Sequence, residues 1–234
     1  MIEWIPVPSP EVEIKEGDRL VVYGPLDVLE ESFSTTPVMR EHIMRCKDRG
    51  RWPVPNSYTR RVPRHGIQGS FWEDRLDRRH CGVDIYAPAG SSVLAFERGE
   101  IVATGIATSP AQRHYWNVTH HATVLHDSGF VVRYAELDDV MVSENARVAA
   151  GEVLGHVGRV IDPLRVTRDD PPYVQRLSVS APSMLHVEVH DRCVDLEKER
   201  RYSGGNWFSN ERPSWLVNPT SLLMRLVPGA DTTW

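Results

Sequence analysis

The chain has 234 residues, 41% hydrophobic and 25% charged, which is enough apolar content for one sizeable core with an appendage. A net charge of -5 excludes a general attractive field for nucleic acid or anionic lipid, and no apolar run approaches the ~20 residues of a membrane span. Three cysteines, at 46, 81 and 193, match no zinc knuckle or disulfide framework and read as free thiols.

In chain order, the first residues, Met-Ile-Glu-Trp-Ile-Pro, lack the basic and continuous apolar regions of a secretory signal. The expectation is a protein that is cytoplasmic as synthesised and that would reach an outside target by a signal-independent route. Val12 to Tyr23 reads as two strands about a Gly17-Asp18 turn. Thr36-Pro37 caps apolar residues at helical spacing over Val38 to Lys47, and Arg51 to Arg64, with three prolines, reads as an extended connector. Residues 1–63 are expected to be an N-terminal extension, with a flap crossing the groove as the alternative, and 64–234 the main domain. Arg60-Arg61 with Arg64, and Arg75 with Arg78 and Arg79, read as solvated charged faces.

From Gly66 to Gly158 short strands alternate with Gly, Pro and Asp turns, which argues a mainly β, antiparallel sheet. Ser91 to Phe96 is expected to pair with Gly99 to Thr104, and Asn117 to His126 with Phe130 to Ala135 around Asp127-Ser128-Gly129. Val148 to Gly158 reads as a glycine-punctuated hairpin. Residues 159–182 read as a long loop, and Asn218 to Leu223 as a closing segment.

Two stretches carry the chemistry. His80 and Asp84 lie four residues apart on a strand-like segment, and His186 lies on an alternating one, Met184-Leu185-His186-Val187-Glu188-Val189. Two imidazoles and a carboxylate make a zinc triad with a fourth position open to water or substrate, a set suited to hydrolysis. Cys81, next to His80, points to the opposite face of such a strand and is expected to be buried.

His80-x-x-x-Asp84 followed by Ile-Tyr-Ala-Pro-Ala-Gly, then Gly99-Glu-Ile-Val, Tyr134-Ala-Glu136-Leu137, Gly151-Glu-Val-Leu-Gly155 and Leu185-His186-Val-Glu188-Val, resembles in order and spacing the lysostaphin-type (LytM-domain) zinc metalloendopeptidases. The resemblance covers roughly residues 64 to 190 and implies an antiparallel β domain related to the duplicated hybrid motif. It also implies Zn2+ on His80, Asp84 and His186, and peptidoglycan stems or cross-bridges as substrate. That family places two further histidines at positions that here read Glu136 and Met184. Methionine can neither donate a hydrogen bond nor move a proton, whereas a carboxylate is a competent base. The expected function is a zinc-dependent peptidoglycan endopeptidase in which the ion polarises the carbonyl and Glu136 activates the water. The alternative is a degenerate, non-catalytic module that binds cell-wall peptide or a protein partner. Glu188 is expected to orient a neighbour rather than bind metal, and His114, Tyr115, His120, His121 and His126 are candidate substitutes for the missing histidines.

Overall fold

A computed structural model describes residues 50–180 and 182–225. The expected strand pair in 12–23, the helix in 38–47 and Cys46 lie outside these residues. Within them the domain is mainly antiparallel β, as the turn-punctuated sequence implies. Among the described residues, no helix is long and apolar enough to cross a membrane.

The large sheet runs β12 (Leu216–Val217), β9 (Met184–His190), β6 (Val131–Val140), β5 (Thr119–His126), β4 (Gly99–Thr108), β7 (Arg147–Val148). β2 (Val83–Tyr86) adds to β9, while β8 (Val153–Val157) joins β6 to β3 (Ser92–Leu94). A small sheet of β1 (Arg79–His80), β11 (Asn206–Trp207) and β10 (Tyr202–Ser203) completes the strands. The β5–β6 hairpin forms as expected, with Gly129 at φ 88° in its turn and Val124 opposite Val132.

Two strand pairings differ from expectation. β3 pairs with β8 instead of β4. Its backbone groups are claimed elsewhere: the Leu94 amide donates to Pro53, Ala95 to Glu152, and the Phe96 carbonyl accepts from Arg51. The arms of the Val148–Gly158 unit likewise separate beyond the Gly151 turn, β7 going to β4 and β8 to β3 and β6. The 159–182 segment is more ordered than a loop. It holds a 3-10 turn (Pro163–Arg165), capped by Asp162, and helix α1 (Pro172–Ser180). Tyr115, Trp116, Val160, Ile161 and Val174 form a second apolar cluster beneath it. The closing segment forms helix α2 (Thr220–Arg225), with Asn218 accepting from the Thr220 amide and Leu223 fully buried.

Period-two alternation divides β2 and β9 chemically. Val83, Ile85, Leu185, Val187 and Val189 enter the main core, joined there by Cys81 and by Trp52 and Val54 of the connector. Asp84, His186, Glu188 and His190 take the other face, and they too are buried. A buried polar face demands partners, and the small sheet supplies them.

Candidate metal centre and active site

The β2–β9 register sets Asp84 directly opposite His186, and His80 arrives from β1. His80 Nε2 lies 2.9 Å from His186 Nδ1 and 3.1 Å from Asp84 Oδ1, and His186 Nδ1 lies 3.0 Å from the same oxygen. All three residues are buried. The outer nitrogens are committed: His80 Nδ1 donates to the Ser70 carbonyl at 2.8 Å and His186 Nε2 to Glu188 Oε1 at 2.9 Å. Each ring therefore presents its remaining nitrogen inward.

Three lone pairs in mutual contact repel unless a proton or a cation sits among them. Without a metal ion the proton falls on His186, raised to about 10, because hydrogen bonds to Asp84 and Glu188 outweigh the burial that opposes its charge. His80 is pushed down by burial and by the Arg75 charge, so it stays neutral and ligand-ready. Burial alone would raise Asp84, but His80 and His186 hold it well below the usual carboxylate range. Two anchored imidazoles and one ionised carboxylate, converging from three strands, fit zinc with a position left open.

Shape reinforces the chemistry. A Cβ on Gly82 would collide with the Val187 carbonyl and come 2.8 Å from the His186 ring. One on Gly205, which sits at φ 75°, would come 2.7 Å from His186 Nε2. Both glycines thus let the backbone approach the Nε2 end of the imidazole more closely than any residue with a side chain would allow.

Behind the ligands lies a polar network. Glu188, fully buried, accepts from His186, from Tyr202 Oη at 2.6 Å, and from His190 Nε2 at 3.1 Å. Burial would raise its pKa, yet the two histidines keep it well below the carboxylate range. The expected orienting position of Glu188 is thus where the structure puts it. Arg75 corrects the sequence reading of a solvated face: its guanidinium donates to Asp84 Oδ2 at 3.3 Å, to Glu73 and to Asn206 Oδ1. The outer oxygen of Asp84 needs a donor there, and Arg75 reaches it. Arg78 is also buried, lying over the Tyr173 and Phe208 rings. Arg60, Arg61 and Arg64 are exposed, as expected.

Glu136 is placed by a bulge. Ala135 pairs with His121 and Leu137 with His120, so Glu136 is the extra residue, at φ 66°. Such a bulge re-aims a side chain, and a left-handed conformation at a glutamate costs on the order of 1–3 kcal/mol. The Gly158 amide holds the bulge by donating to the Glu136 carbonyl at 2.8 Å. Oε2 of Glu136 is buried without a protein partner. Burial first, then the Asp84 charge, pushes its carboxyl up to about 8, with His186 and Arg75 pulling the other way. A cation in the triad would pull that value back down and favour the carboxylate form.

The alternative residues have hydrogen bonds or packing of their own. His126 is in the core against Tyr134, His114 pairs with Asp170, and Tyr115 belongs to the second apolar cluster. His120 bonds the Asp138 carbonyl, and His121 bonds Thr123. None of them bonds His80, Asp84 or His186 among the described residues. His80, Asp84 and His186 are buried, whereas Tyr86, Glu136 and Met184 are half-buried.

The sequence profile of peptidase family M23 matches residues 78–196, just over half of the chain and inclusive of His80, Asp84 and His186. The chain belongs to peptidase family M23. This M23 chain is also 30% identical over 125 residues, 53% of its length, to the cell division protein DipM of Caulobacter vibrioides, of which that stretch spans only 18%. Among solved structures, a zinc-containing peptidase from Vibrio cholerae is similar at 22% identity and a TM-score of 0.40, over 62% of this chain and 38% of that one. The catalytic domain of the antimicrobial peptidase lysostaphin from Staphylococcus simulans is similar at 19% identity and a TM-score of 0.39, over 74% and 88%.

Proposed function

We propose that this M23 chain is a zinc-dependent endopeptidase acting on peptide bonds of peptidoglycan stems or cross-bridges, with His80, Asp84 and His186 as the ligands and Glu136 as the base. The domain comprises residues 64–234, with 1–63 as its extension. The observation that supports the reading is the buried, unpartnered carboxylate oxygen of Glu136, on a bulge one residue past Ala135, the sheet partner of His186. Zinc in that set supplies a Lewis acid for a peptide carbonyl and lowers the pKa of a water. Glu136 Oε2 takes one proton from the attacking water as its oxygen bonds to the carbonyl carbon. It returns that proton to the amide nitrogen as the C–N bond breaks, leaving a carboxylic acid and an amine. Arg75, Glu188 and Tyr202 keep the ligand side chains in place during these steps.

The test is to incubate purified peptidoglycan with the zinc-loaded wild type and with Glu136→Gln. Release of new amino groups by the wild type, reduced at least a hundredfold in the variant, is expected. A wild type that holds zinc and cleaves no wall peptide would overturn the hydrolase reading and favour the binding module, for which the replacement of both histidines, at 136 and 184, speaks.

A further inference from the structure

Met184 occupies the position where the lysostaphin-type resemblance calls for a histidine, and a thioether donates no hydrogen bond. The register of the sheet shows what stands across from it. Tyr86 on β2 is the direct antiparallel partner of Met184 on β9, two residues along from the Asp84–His186 pair. Tyr86 therefore shares the ligand face of the sheet.

We propose, resting on the hydrolase reading above, that Tyr86 is a catalytic residue whose phenol donates a hydrogen bond to the peptide carbonyl oxygen as that oxygen gains charge. Three features of the site support the assignment. The phenol oxygen accepts from Gln68 Nε2 at 3.1 Å, and no acceptor for its own hydrogen occurs among the described residues, so that hydrogen is free for a ligand. Gly69, at φ 81°, lets the backbone pack against both side chains: a Cβ there would meet Asp84 Cβ at 3.0 Å and Tyr86 Oη at 3.2 Å. Tyr86 is half-buried, whereas Val83, Asp84 and Ile85 before it on β2 are buried, so of this strand it is the residue partly open to solvent.

The arrangement divides the work across β9. Glu136, from β6 on one flank, handles protons, and Tyr86, from β2 on the other, steadies the oxygen that becomes negative. Met184 needs only to leave room between them. A tyrosine and a methionine, directly paired, thus replace one histidine: the donor moves one strand over.

The experiment compares wild type with Tyr86→Phe in zinc-loaded form, on soluble muropeptides. The first readouts are kcat and KM, then zinc affinity by chelator competition, then binding of a phosphinic pseudopeptide built on the sequence that the wild type cleaves. Expected are a hundredfold or greater loss in kcat, KM and zinc affinity within about threefold of wild type, and at least tenfold weaker phosphinate binding. Undiminished kcat in Tyr86→Phe, with the wild type active, would overturn this assignment alone. Zinc affinity falling in step with kcat would also overturn it, by making Tyr86 a support for Asp84. A zinc-loaded wild type that cleaves nothing would overturn the hydrolase reading, and this one with it.

Discussion

Glu188 offers the sharpest test of how the ligand set is held. It is fully buried and takes three donors, from His186, Tyr202 and His190, at 2.9, 2.6 and 3.1 Å. Alanine would strand all three donors at about 1–3 kcal/mol each. That sum rivals the roughly 5–15 kcal/mol of a whole domain, so Glu188→Ala reports on folding. Glu188→Gln is the informative change. The amide oxygen still accepts from His186 and Tyr202, but both bonds lose charge assistance, and the amide nitrogen forces His190 to give up its Nε2 hydrogen. The anchor of His186 weakens while the fold stays. Loss of such an outer partner lowers metal affinity about 10- to 100-fold, or roughly 1.4–2.7 kcal/mol. Chelator competition with a fluorescent zinc indicator measures it, alongside a circular dichroism melt. Zinc affinity of Glu188→Gln within threefold of wild type would refute the view that Glu188 orients the ligand.

Other expectations concern neighbouring features. Gly205→Ala puts a methyl group 2.7 Å from His186 Nε2 at a φ of 75°, so it should lower stability by about 1–3 kcal/mol and weaken zinc binding, read by urea titration with and without zinc. Glu136→Gln should keep full zinc occupancy while losing cleavage; loss of zinc would instead make Glu136 a ligand. His126 is pushed down to about 4, chiefly by burial, against about 6.5 unfolded. Its contribution is fully present above pH 6.5 and is lost as pH falls toward 4, by up to about 3 kcal/mol. His126→Gln should flatten that part of the stability curve by one proton's slope, and an unchanged slope would show that His126 does not set it.

The convergence of His80, Asp84 and His186 was legible because His80-x-x-x-Asp84 and His186 keep a recognisable spacing, and because alternation turns hydrophobic neighbours inward while Asp84 and His186 take the opposite face. Burial of Cys81 followed from the same rule. What surrounds the triad was not legible. Arg75 reaches Asn206 across 131 positions, and Tyr202 reaches Glu188 from a hairpin whose sequence carries no motif. Charge counting could not tell an arginine tied to a ligand from one in solvent. Tyr86 was hidden for a different reason: its relation to Met184 exists only in the register. The β3 pairing escaped because Gly151–Val157 and the connector at 51–53 compete for the strand that local order gave to β4. The helix α1 in the 159–182 segment is short and mostly polar, and its buried Val174 packs on Tyr115 and Trp116 from a distant loop.

The most direct test of the account is zinc per chain, measured by elemental analysis after purification without chelators, for wild type and His80→Ala, with peptidoglycan cleavage followed in the same samples. One zinc per wild-type chain, cleavage by that form, and neither zinc nor cleavage in His80→Ala are expected. Wild-type protein without zinc, or His80→Ala that keeps both zinc and cleavage, would contradict it.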